Sequence, residues 1–135
     1  QKNPDRFIGI NGGISTISEA RDHMEQVDGV MLGRAAYQTP ALLGDVDALM
    51  EGGEPRSIDY DGLIGTMADY AGRHIAEGGR LSHVTRHMVG LFHGFAGARR
   101  YRQILSSDAT RKDAGPEVLL AAFAAVDLAS SLDAA

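Results

Sequence analysis

Two short apolar runs, each closed by glycine, set the architecture of the first third of this chain. Phe7-Ile8-Gly9-Ile10 leads into Asn11-Gly12-Gly13, and Gly29-Val30-Met31-Leu32 leads into Gly33-Arg34. A brief apolar run ended by a turn signal is what a strand buried on both faces looks like, and such strands belong to parallel sheets. Between them the spacing predicts a helix, because Thr16 and Glu19 make a capping box and Ile17, Ala20, Met24 and Val27 share one helical face. Thr39-Pro40 then predicts the N-cap and first-turn proline of a second helix running to about Met50. The order is βαβα.

The glycines at the strand ends carry the first chemical signal. Gly12 and Gly13 remove the side chains that would keep a phosphate from backbone amides, and a helix start just beyond adds a favourable dipole end. Gly33 keeps the backbone close, and the planar fork of Arg34 is suited to a charge-assisted or bidentate contact with an anion. Each glycine pair taken singly is also what an ordinary turn looks like. The two together, each following a strand, point towards a phosphate. Asn11 either hydrogen-bonds a ligand or closes an Asx turn, and Tyr37 either meets a ligand or packs.

In a (β/α)8, or TIM, barrel the loops after the last two strands commonly hold a cofactor phosphate. A whole barrel takes about 250 residues, and this chain has 135. The expected fold is therefore an α/β barrel fragment, the last two β/α units of a TIM barrel, followed by an all-α helical bundle, and mostly helical in total. Gly52-Gly53-Glu54-Pro55 breaks the pattern and sets the expected boundary between residues 1–52 and 53–135. Beyond it, Leu63, Ile64, Met67, Tyr70, Ala71 and Ile75 recur at helical spacing up to Gly78-Gly79. Leu81, Val84, Met88, Leu91 and Phe92 predict a second helix, and a third is expected from about Ala98 to Ser106. A fourth follows Gly115-Pro116, with Val118, Leu119, Ala122, Phe123 and Val126 inward. Four helices on short connections suggest a small bundle.

Hydrophobic residues make up 44% of the chain and charged ones 23%, a balance that supports a packed core. No apolar run approaches the roughly 20 residues that span a bilayer, and no signal peptide opens the chain, so it reads as cytoplasmic without a membrane partner. Cysteine is absent, which excludes disulfides, thiolate metal sites and a cysteine acid within these residues. The chain opens on Gln1 rather than Met, as a processed or truncated product would.

The net charge of −5 opposes bulk capture of nucleic acid, but it is unevenly spread. Residues 1–70 hold 5 basic and 12 acidic side chains, whereas residues 71–135 hold 8 and 6. The tightest basic cluster is Arg99, Arg100 and Arg102. Arg99 and Arg102, three apart, share a helix face that could meet one RNA backbone, or else form a solvated face with Arg86 pairing to a carboxylate. His83 and His87, four apart, and the nearby His93 lack the glutamate and cysteine partners of a zinc site, so no metal and no catalytic residue is assigned.

The stretches Ile10-Asn11-Gly12-Gly13-Ile14, Val27 to Tyr37 and Arg86 to Arg99 together resemble the tRNA-dihydrouridine synthases, most closely the A subfamily. That family carries I-N-G-G-I, V-D-G-V-M-x-G-R-x-A-Y and R-H-x-x-G-L-F-x-G-x-P-G-A-R in its C-terminal portion. The resemblance covers nearly the whole chain. It implies an N-terminal barrel that binds flavin mononucleotide (FMN), reduced by NADPH, and a C-terminal helical domain that helps hold tRNA. In that family a barrel-loop cysteine is the acid for reduction of a D-loop uridine. Carried over, the resemblance implies that Asn11, Gly12, Gly13, Gly33 and Arg34 contact FMN, chiefly its phosphate, and that Arg99 and Arg102 meet tRNA. Residues 1–52 would then end the flavin-binding barrel and 53–135 form the tRNA-binding domain.

Ala96 departs from the family's proline, which would loosen the turn into the Arg99 helix. Gly9 stands where a larger residue is usual, which would weaken its strand. The expected identity is the C-terminal part of an FMN-dependent synthase, with the cysteine lying before Gln1. Alone it is expected to lack activity and to self-associate or need its missing barrel segment. The alternative is a noncatalytic RNA-binding or structural helical module in which the glycine turns are only strand ends.

Overall fold

A computed structural model describes residues 5–53 and 57–130. The chain divides into two compact units, Gln1–Ile58 and Asp59–Ala135. The division falls a few residues after the expected boundary, and two side chains explain its place. Ile58 packs on the first unit, where a Cβ on Gly44 would stand 2.9 Å from Ile58 Cγ1. Asp59 instead caps the next helix, its Oδ1 accepting from the Gly62 amide at 2.9 Å. Of the expected breaker sequence, Glu54 and Pro55 lie outside the described residues.

The first unit contains β1 (Gly9–Asn11), α1 (Ile17–Met24), β2 (Gly29–Met31), α2 (Arg34–Gln38) and α3 (Val46–Glu51), with a 3-10 segment over Pro40–Asp45. The strands pair in parallel, Gly9 beside Gly29, Ile10 beside Val30 and Asn11 beside Met31. The α1 capping box forms as expected, with Glu19 N donating to Thr16 Oγ1 at 3.1 Å. Val27 lies beyond the end of that helix.

Three local expectations are corrected here. Strand pairing starts at Gly9 rather than Phe7, and neither strand is buried on both faces: Phe7 is 77% exposed, and Ile8 and Met31 are also exposed. Two strands lack the neighbours that would cover them. The Phe7 ring instead lies over the glycine pair, since a Cβ on Gly29 would sit 2.7 Å from Phe7 Cζ and one on Gly9 3.4 Å from Cε1. An aromatic thus covers the place where Gly9 lacks a side chain. Finally, the single helix expected after Thr39 is broken. Thr39 accepts no capping bond, Pro40–Asp45 is 3-10, and α2 begins earlier, directly after Gly33. Gly44, a poor helix former held against Ile58, sits at the break.

The second unit contains α4 (Tyr60–Ala76), α5 (Leu81–Thr85), α6 (Ala98–Ser107) and α7 (Pro116–Phe123), with a 3-10 turn at Asp108–Thr110. α7 packs against both α4 and α6. Phe92 is the hub of the core, with ring centroids of Tyr60, Phe95, Tyr101 and Phe123 at 5.2, 5.6, 4.9 and 5.7 Å. Leu119 and Ala122 are buried from α7 as expected, whereas Tyr70 of α4 faces outward, half exposed. The helix expected through Phe92 stops at Thr85. Its apolar residues Leu81, Val84, Met88, Leu91 and Phe92 are all buried nonetheless. Hydrogen bonds now advance by three, from Met88 N to Thr85 O, Leu91 N to Met88 O and Phe95 N to Phe92 O. Successive turns therefore return apolar side chains to the core without a continuous helix. Gly94 (φ +89°) and Gly97 (φ +82°) end the segment.

The turn into α6 is tied rather than loosened at Ala96. Ala96 N donates to Ser130 Oγ at 3.1 Å, and Asp127 N donates to Ala96 O at 3.0 Å. A proline at position 96 would lack the first of these donors. Among the described residues no helix is long and apolar enough to cross a membrane.

Candidate functional site

Parallel pairing puts the C-terminal ends of both strands at one edge, so the residues that follow them meet. Asn11, Gly12 and Gly13 after β1, and Gly33 and Arg34 after β2, line one concavity of about 420 Å³. Ile14, Ser15, Met31, Ala35 and Gln38 complete its wall. All five residues singled out from the sequence are therefore brought together, although 20 or more positions separate the two groups.

The backbone there is open to an anion. Gly12 and Gly13 take φ of +126° and +74°, and nothing stands within 4 Å of where a Cβ would be. Arg34 is exposed and makes no ion pair among the described residues. Two glycines without side chains to bar approach and one exposed guanidinium around a cavity of this size form a set suited to a phosphate group. The start of α1 contributes less than its position suggests. Glu19 Oε2 already accepts from Ser15 N at 2.7 Å, Ser15 Oγ at 3.0 Å and Thr16 N at 3.2 Å. The Ser15 backbone bond, foremost among these, holds the Glu19 carboxyl below the usual carboxylate range.

Sequence reasoning missed Ser15 and Gln38. Gln38 lies four residues after Arg34, one turn along a helix, but that spacing becomes meaningful only once α2 is known to begin at Gly33.

In the second unit, α6 buries Ala98, Tyr101, Ile104 and Leu105. Arg99 and Arg102 consequently lie on its exposed side, while Arg100 Nη1 donates to Gln103 Oε1 at 3.0 Å. Among the described residues Arg86 bonds no carboxylate; its Nε donates to His87 Nε2 at 3.0 Å. Because α5 ends at Thr85, His83 and His87 do not form a helical pair. His83 Nδ1 instead lies 3.2 Å from His74 Nε2 on α4. Among the described residues no group of three or more His, Asp or Glu side chains could hold a metal ion.

A sequence model described as dihydrouridine synthase (Dus) matches residues 1–127. The chain belongs to the dihydrouridine synthase family. The tRNA-dihydrouridine(20/20a) synthase of Shewanella oneidensis is 44% identical over 123 residues, 91% of this chain and 37% of that protein. The synthase of the same name from Pseudomonas aeruginosa is 48% identical over 105 residues, 78% of this chain and 32% of its own length. That of Escherichia coli is 41% identical over 116 residues, 86% and 34%. The chain spans about a third of the length of the relatives it matches. The family fold is a TIM barrel, and the segment is mostly helical.

Proposed function

We propose that this chain is the C-terminal part of an FMN-dependent tRNA-dihydrouridine(20/20a) synthase, which reduces a D-loop uridine of tRNA with NADPH as the source of electrons. Residues 1–52 close a flavin-binding barrel and residues 53–135 form a helical domain that holds tRNA. The convergence of Asn11, Gly12, Gly13, Gly33 and Arg34 on one concavity supports this reading above any other observation.

When bound, FMN supplies the hydride that reduces the uridine ring. This chain's residues bind and orient. The Gly12 and Gly13 amides donate to the phosphate, unobstructed by side chains, and Arg34 adds charge-assisted hydrogen bonds. Asn11, at the end of β1, supplies a side-chain amide at the mouth of the same concavity. Arg99 and Arg102 meet the tRNA backbone from the exposed side of α6. The acid that protonates the uridine belongs to another segment, since this sequence holds no cysteine. The chain alone therefore binds without turning over, and its site of action is the cytoplasm.

A chimera tests the proposal: this chain is placed after the remaining N-terminal portion of the Shewanella oneidensis relative. The expected outcome is dihydrouridine in tRNA from a strain lacking its own synthase, detected by mass spectrometry. A folded chimera that binds neither FMN nor tRNA would overturn the reading and favour a structural helical module.

A further inference from the structure

We propose that Glu19 is the positioning residue of the Gly12–Gly13 cradle: its carboxylate reaches back from the first turn of α1, clamps Ser15 and Thr16, and so holds the turn whose glycine amides receive a nucleotide phosphate. The inference rests on the phosphate reading of the concavity and adds the residue that sets its shape.

The two glycines themselves contribute no side-chain contact to hold the cradle. Neither Gly12 nor Gly13 has an atom within 4 Å of a Cβ position, and both adopt positive φ. Glycine is the residue with most conformational freedom to lose. On one side the turn is anchored by β1, where Asn11 pairs with Met31. On the other side the buried Ile14 fixes the chain next to Gly13, and one carboxylate oxygen of Glu19 fixes the residues after it. A capping box requires only the reciprocal bonds between Thr16 and Glu19, and both are present. Glu19 Oε2 goes further and takes both donors of Ser15, the amide at 2.7 Å and the hydroxyl at 3.0 Å. Those two bonds lie outside the helix cap and tie the loop.

Recognition is affected too. Ser15 lines the concavity, yet its donors point to Glu19, so an entering phosphate meets the other lining groups, Gly12, Gly13 and Arg34 among them. A turn that is already ordered does not lose affinity to ordering on binding. Glu19 is exposed, so water and salt screen its like charge from the phosphate. Reach outweighs charge.

Two variants of the full chain separate these effects. Glu19→Asp keeps the negative charge in the first turn of α1 but is one methylene too short to reach Ser15. Glu19→Gln keeps the reach and an acceptor oxygen but removes the charge. Two readouts are taken: FMN affinity measured against riboflavin, which lacks the phosphate, and NMR order parameters of the Gly12 and Gly13 amides without ligand. Glu19→Asp is expected to weaken FMN roughly tenfold, as ordering about one residue on binding would. Riboflavin binding stays unchanged and the two glycine amides become more mobile. Glu19→Gln is expected to match the parent chain in both readouts. Unchanged glycine amides in Glu19→Asp, or mobile ones in Glu19→Gln, would overturn the inference. Failure of the parent chain to bind FMN would remove the phosphate reading instead, and the order parameters would still decide whether Glu19 holds the turn.

Discussion

The phenolic oxygen of Tyr101 donates its hydrogen bond to the backbone carbonyl of Met88 at 3.0 Å. The bond joins the buried face of α6 to the run of turns that stands where a helix was expected. Tyr101 is fully buried, and the helix that holds it inward is the one that turns Arg99 and Arg102 outward. A core contact thereby orients a candidate RNA-binding face.

Tyr101→Phe leaves the Met88 carbonyl without this donor in a buried setting. The expected cost is about 1–2 kcal/mol of unfolding free energy, read from urea melts of the full chain. Burial also pushes the Tyr101 phenol well above its usual value of 10, and burial raises Tyr60 in the same direction. A folded-state pKa raised above the unfolded one gives stability that is complete below about pH 10 and is lost as pH climbs beyond it. The parent chain should therefore lose stability progressively as pH climbs above about 10, and Tyr101→Phe should show a shallower loss. Identical slopes would contradict the assignment.

Gly97→Ala is expected to be among the most damaging single substitutions in the second unit. Gly97 sits at φ +82°, and an added Cβ would collide with the backbone carbonyl of Ala125, which cannot swing aside as a side chain could. Loss of at least about 2 kcal/mol is expected from the backbone conformation and the collision together. A melting temperature within about 1 °C of the parent would refute this, because losses of that size move small domains by several degrees.

Arg34→Ala should lower FMN affinity by about tenfold to a hundredfold, the range for charge-assisted hydrogen bonds. Riboflavin should be unaffected by the same change. A titration following flavin fluorescence with both ligands distinguishes loss of a phosphate contact from general damage to the cavity.

Arg99→Ala combined with Arg102→Ala should weaken tRNA binding across sequences, not for one tRNA alone. The slope of log affinity against log salt should fall by about 1 for each phosphate contact removed. An unchanged slope would return these arginines to a merely solvated helix face.

Among the described residues the first unit leaves both outer strand edges unpaired in a two-stranded sheet, with Phe7 77% exposed beside it. Unpaired edges and exposed apolar side chains favour association. Sedimentation velocity of the isolated chain should show concentration-dependent oligomers, and a clean monomer at high concentration would count against an open barrel fragment.

Elements defined by near neighbours along the chain are legible in the residues themselves. The Thr16–Glu19 capping box and the proline-led α7 both depend on contacts within a few residues. Hydrophobic spacing likewise marks Leu81, Val84, Met88, Leu91 and Phe92 as interior, although a helix and a series of three-residue turns bury nearly the same positions. Periodicity does not separate those two backbones, because each returns a side chain to the core every three or four residues.

The tertiary structure decided whatever depends on contacts distant in sequence. The sequence by itself marked Asn11, Gly12, Gly13, Gly33 and Arg34 as candidates at two strand ends. Only parallel pairing of Gly9–Asn11 with Gly29–Met31 brought the two groups to one edge. Likewise, only the approach of the Ala125 carbonyl explains why position 97 must be glycine, and only Ile58 packing on Gly44 placed the division between units after residue 58. Local propensity is carried by residues within a turn of one another, whereas convergence requires the chain to fold back, and the free energy of that return is supplied by packing.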